Sequence, residues 1–201
     1  PYDCRKQTIA EIQKICRLRG ISLVILYSGV CTWDNFSHIL QLPGTSYVYM
    51  ITHGNSHYGD WPNEVQRTNF YLSDSVVLSY WSSGLPVASS KIHYMRPLGL
   101  GDSEKIRIVH IDACLQISQK DGSEEQNVDM VEEWIKYNDN QFFLSWGTLM
   151  RSDDVDWDKW SHDIWYSLGE VGNNYWDAQF YAYTHNPKGS FILSHVAYRG
   201  N

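Results

Sequence analysis

The chain has 201 residues, with 16 lysines and arginines against 23 aspartates and glutamates, for a net charge of −7. That length suits a single domain, residues 1–201, with a sizeable core. The acidic balance and scattered basic residues argue against a nucleic-acid partner, and no apolar run reaches the roughly 18 residues that a membrane span requires.

In chain order, Thr8-Ile9-Ala10-Glu11 reads as a capping box opening a helix from Thr8 to Arg19, with Gly20 as its stop. Ile9, Ile12, Ile15, Cys16 and Leu18 recur there at helical spacing. Ile21 to Tyr27 reads as a buried strand, Trp33 to Leu42 as a helix ended by Pro43-Gly44, and Ser46 to Thr52 as a strand. Residues 55–105 are irregular, with an antiparallel excursion expected over Phe70 to Tyr80 and Lys91 to Met95. A strand over Ile106 to Ile111 follows, then a polar stretch from Gln116 to Asn127. A helix over Val128 to Tyr137, a strand over Gln141 to Trp146, helices over Trp157 to Leu168 and Asn174 to His185, and a last strand over Ser190 to Tyr198 complete the pattern. Strands alternating with helices predict an α/β fold with a mostly parallel central sheet covered on both faces.

Two of these strands end on residues that do chemistry. Tyr47 to Thr52 runs into His53-Gly54, and Ile106 to Ile111 runs into Asp112-Ala113-Cys114. Ligands of open α/β sheets bind at the carboxyl ends of strands. Neighbouring parallel strands would therefore hold an imidazole and a thiol side by side, the layout of a cysteine nucleophile with its histidine partner. Asp112, two residues before Cys114, points to the same side of the strand.

The pair Thr52-His53-Gly54 and Ile111-Asp112-Ala113-Cys114-Leu115 resembles the two signature motifs of the caspase-fold (clan CD) cysteine peptidases, and the Asp-Ala-Cys-Leu form is most similar to the clostripain-like bacterial members. Gln116 departs from the Met usual in those enzymes, and no Ser-Gly follows the cysteine. The resemblance implies a caspase-like three-layer fold and an endopeptidase in which Cys114 attacks and His53 assists, with the backbone N–H groups of Gly54 and Cys114 as oxyanion hole. It also implies substrate-binding roles for Asp112, Ser145 and Trp146, with cleavage of polypeptides after Arg or Lys. Lys120, in the polar stretch, becomes a candidate site of autocleavage.

The caspase fold opens with a central strand, whereas the first element here is a helix. The expectation is that an upstream segment or a partner chain fills a slot between the Ile21 strand and the His53 strand. The rival is that Ile21 to Tyr27 is itself the first strand and pairs directly with Tyr47 to Thr52.

Several features favour blander readings. His57 follows His53 by four residues, but no Glu general base and no third ligand accompany it, so no metal site is expected. Asp153, Asp154, Asp156 and Asp158 lack the Gly and late Glu of a calcium loop and suit the positive end of a helix instead. The resemblance alone leaves calcium open, and no other cofactor is expected. Cys4, Cys16, Cys31 and Cys114 form no C-x-x-C pair, so zinc-knuckle and thioredoxin-type motifs are absent. Secreted and cytoplasmic locations both stay open. The alternative to an enzyme is an inactive caspase-fold module used for protein binding or regulation.

Overall fold

A computed structural model describes residues 5–58, 65–80, 85–114, 116, 125–135, 141–146, 155–189 and 196–199. They fall into two compact units, residues 1–25 with 151–195 and residues 26–150 with 196–201. The elements in chain order are α1 (Lys6–Arg19), α2 (Trp33–Gln41), β1 (Tyr47–Ile51), β2 (Gly54–Tyr58), β3 (Val65–Tyr71), β4 (Val76–Leu78), β5 (Ile92–Tyr94) and β6 (Ile108–Asp112). Then come α3 (Glu125–Trp134), β7 (Phe142–Trp146), α4 (Val155–Tyr166), α5 (Tyr175–His185) and β8 (Val196–Arg199).

The larger unit is mixed α/β. Its first sheet has the order β1-β6-β7-β8, in which β1, β6 and β7 run parallel and β8 is antiparallel to β7. Every residue of β6 and β7 is buried, as the continuous apolar character of a central parallel strand requires. The excursion expected after His53 forms a second sheet, β2-β3-β4-β5, antiparallel except for the parallel pair β4 and β5.

One face of the first sheet carries the main core. Val48, Val109, Ile111 and Phe143 pack there with Phe36 and Leu40 of α2 and with Met130 and Trp134 of α3. Phe70 of the second sheet joins the same cluster; Phe36 meets Phe70 and Trp134 edge-on, at 5.7 and 6.0 Å between ring centres. Thr32 and Asp74 accept from the first free N–H groups of α2.

In the smaller unit, the helix expected from Thr8 begins two residues earlier, and the capping box is not used. Thr8 and Glu11 lie inside α1, and Arg5, at the cap, makes no side-chain cap hydrogen bond. The free N–H groups of Gln7 and Thr8 donate instead to the carboxylate of Asp158 in α4, at 3.0 and 3.1 Å. Asp158 and Asp156 belong to the first turn of α4, the helix-end role expected of the acidic run; Asp153 and Asp154 lie outside the described residues. α4 continues into a π-helical turn at Ser167–Val171. Gly169 in that turn is pressed on Ile15 of α1, and a Cβ there would stand 2.4 Å from Ile15 Cδ1.

Ile21 to Tyr27 is not a strand. It is without regular structure, and Ile21, Leu23, Val24, Ile25 and Tyr27 are exposed. Apolar composition makes a buried strand only where neighbours exist to bury it, and no described strand pairs with this run. The direct pairing with Tyr47 to Thr52 is therefore absent among the described residues. Among the described residues, β1 lies at the edge of its sheet.

Candidate functional site

The chain passes from one sheet to the other at His53. Thr52 extends the β1–β6 ladder, its N–H donating to the Asp112 carbonyl at 3.2 Å. One residue later the His53 carbonyl accepts from the Tyr71 N–H at 3.1 Å, on β3 of the second sheet. His53 thus has its backbone held between two sheets and its side chain exposed. The flanking bond makes Gly54 and Phe70 a non-hydrogen-bonded antiparallel pair, which leaves the Gly54 N–H out of the β2–β3 ladder.

Cys114 reaches the same place from β6. The parallel register pairs Ile51 with Asp112, so His53 and Cys114 each stand two residues beyond matched positions. The backbones meet closely: a Cβ on Gly54 would lie 2.3 Å from the Cys114 carbonyl oxygen and 3.1 Å from Ala113 Cβ. Only glycine fits there. Cys114 is half-buried and, like Cys16 and Cys31, is not in a disulfide. Burial raises the pKa of both other thiols, and for Cys31 the Asp74 carboxylate adds to the effect.

Beneath Cys114 lies a buried polar network. Asp112 is 0 % exposed, and Ser145 and Trp146 are 1 % exposed. Asp112 Oδ2 accepts from the Tyr49 hydroxyl at 2.5 Å, and Oδ1 accepts from Trp146 Nε1 at 2.8 Å, with His110 Nε2 3.2 Å away. Ser145 Oγ donates to the Ile111 carbonyl at 2.7 Å. Asp112 and Trp146 are joined to each other directly, while Ser145 is tied to the β6 backbone. All three are turned inward, where burial of a carboxylate requires this many donors.

Gln116 went unrecognised in the sequence as a site residue, because a polar side chain after a strand end reads as loop. It is fully buried against Gly54, and its side-chain amide donates to the carbonyls of Asn69 and Cys114. Its sole sequence signal was the departure from Met.

Lys120 and the side chain of His57 lie outside the described residues. Among the described residues no three His, Cys, Asp or Glu side chains converge as a metal cluster. Compared with protein families, curated proteins and solved structures, the chain matches none.

Proposed function

We propose that the protein is a cysteine endopeptidase with a caspase-like fold, Cys114 being its nucleophile and His53 its acid–base partner. The observation that carries the reading is the meeting of His53-Gly54 with Cys114 at the carboxyl ends of the adjacent parallel strands β1 and β6. Attack of the Cys114 thiolate on a scissile carbonyl forms the C–S bond and moves the carbonyl electrons onto oxygen. The N–H groups of Gly54 and Cys114 receive that oxyanion; the first is supported by its absence from the β2–β3 ladder. Collapse breaks the C–N bond, and the leaving amine takes its proton from the His53 imidazolium. Water, deprotonated by His53, then hydrolyses the thioester and restores the thiol.

Cleavage after Arg or Lys follows from Asp112. Its carboxylate, two residues before Cys114, accepts from Tyr49 and Trp146 and has His110 Nε2 3.2 Å from Oδ1. A charged carboxylate at this position would favour a cation in the site. That attraction acts through the field of a buried carboxylate, because Asp112 exposes no surface for direct pairing.

The fold also calls for one more strand along the outer edge of β1, from an upstream segment or a partner chain. The parallel register turns the main-chain groups of Tyr47 and Ile51 away from β6, and the strand Tyr-Val-Tyr-Met-Ile carries no charge or proline to blunt that edge.

The reading is tested by hydrolysis of an arginyl peptide substrate. Cys114→Ala removes the thiol and little volume, so turnover should vanish while circular dichroism is unchanged. Turnover equal to that of the unaltered protein would overturn the peptidase assignment.

A further inference from the structure

Gln116 stands two residues past the nucleophile and is nonetheless fully buried. Three segments converge on it. Its Nε2 donates to the Asn69 carbonyl of β3 at 2.7 Å and to the Cys114 carbonyl at 3.1 Å, and its backbone N–H donates to the Trp146 carbonyl of β7 at 3.0 Å. The amide fills the space behind Gly54, where a Cβ would come within 2.3 Å of Nε2. Its Oε1 is buried and accepts no hydrogen bond among the described residues. An apolar side chain of the same length would pack there without an orphaned acceptor, so packing does not account for a glutamine. What glutamine alone supplies is the pair of N–H groups that tie the nucleophile turn to the second sheet.

We propose that Gln116 is a positioning residue for the oxyanion hole. By holding the Cys114 carbonyl against Gly54, its amide fixes the peptide plane that follows the nucleophile. That in turn fixes the separation of the two oxyanion donors, the N–H groups of Gly54 and Cys114. This role rests on the peptidase reading. A shift of about 1 Å in such groups can reduce turnover on the order of 10²-fold.

Two reactions of the same thiol separate positioning from mere support. Alkylation by iodoacetamide displaces iodide from a saturated carbon, forming C–S and breaking C–I, and generates no oxyanion. Amide hydrolysis generates one. In Gln116→Met, which keeps length and removes the donors, the alkylation rate of Cys114 and its pH profile should be unchanged. On an arginyl peptide kcat should fall roughly 10- to 100-fold with KM unaltered, as for a lost transition-state contact. Sites are counted by alkylation of the folded protein, so reduced stability does not enter kcat. If the Met variant fails to fold, Gln116→Glu, which keeps the shape and replaces the donor by an acceptor, should give the same split. Unaltered kcat in a folded variant, or parallel loss of alkylation and turnover, would overturn the positioning role. An unaltered protein that neither cleaves nor alkylates selectively at Cys114 would overturn the peptidase reading itself.

Discussion

At residue 54 the site admits no side chain: a Cβ would meet both the Cys114 carbonyl oxygen and Gln116 Nε2 at 2.3 Å. Gly54→Ala should push the nucleophile turn away from β2, costing about 1–3 kcal/mol by overpacking. Turnover should fall roughly 100-fold, as measured by peptide hydrolysis alongside thermal unfolding. Asp112 gives a cleaner test of specificity. In Asp112→Asn the amide oxygen can still accept from Trp146, and the Tyr49 hydroxyl can rotate to accept from the new NH₂ group. The change from charged to neutral hydrogen bonds costs about 1 kcal/mol, so the variant folds. A unit charge about 7 Å from a substrate cation is worth roughly 2 kcal/mol at an effective dielectric constant near 20. The preference for Arg and Lys over neutral residues, read from a peptide library, should therefore drop roughly 30-fold. A preference retained in full would make Asp112 an internal brace and nothing more.

Between α1 and the π-helical turn, the pKa values of two neighbouring carboxyl groups, Glu11 and Glu170, shift in opposite directions. Burial is the main cause that raises the Glu11 pKa, with the hydrogen bond and charge of Glu170 next; Lys14 and His162 oppose them and lose. Glu170 is lowered, first by its hydrogen bond from Lys14 and then by that from Glu11. A carboxyl group whose pKa is raised by folding stabilises the fold when protonated and loses that contribution as pH rises through its folded value. Glu11→Gln keeps the shape and hydrogen bond without the charge. Its unfolding midpoint should match the unaltered protein in acid and exceed it at pH 8, and a constant difference across pH would contradict the raised pKa of Glu11. The same helix shows what its sequence leaves unsaid. Thr8 and Glu11 satisfy a local capping rule, but the acceptor for the first N–H groups is Asp158, 150 residues away from Thr8. No sequence window contains that contact. Trp33 to Leu42 was legible because Thr32 and Pro43-Gly44 bound it locally, and the His53 and Cys114 strands because each β-branched and aromatic run stops abruptly at a turn, His-Gly or Asp-Ala-Cys. Ile21 to Tyr27 was misread because β composition records hydrophobicity and not the presence of a partner. For Asp112 the alternation along β6 supplied the side of the strand; its depth depends on Tyr49 and Trp146 from two other strands.

In the whole molecule two strand ends meet, and among the described residues no strand pairs with the outer edge of β1. If a further strand docks along β1, the Tyr47 and Ile51 amides should exchange hydrogen rapidly in the 201-residue chain alone. They should become protected when the upstream segment or partner chain is supplied, and protection already present in the isolated chain would contradict an open edge. The central claim, that His53 activates Cys114, is tested most directly by iodoacetamide labelling resolved by peptide mass spectrometry at neutral pH. Cys16 and Cys31 serve as internal references, because burial disfavours their thiolates. Cys114 should react faster than either reference thiol, and its rate should fall about tenfold or more in His53→Ala. Equal labelling of Cys16, Cys31 and Cys114, or a Cys114 rate indifferent to His53, would contradict the dyad.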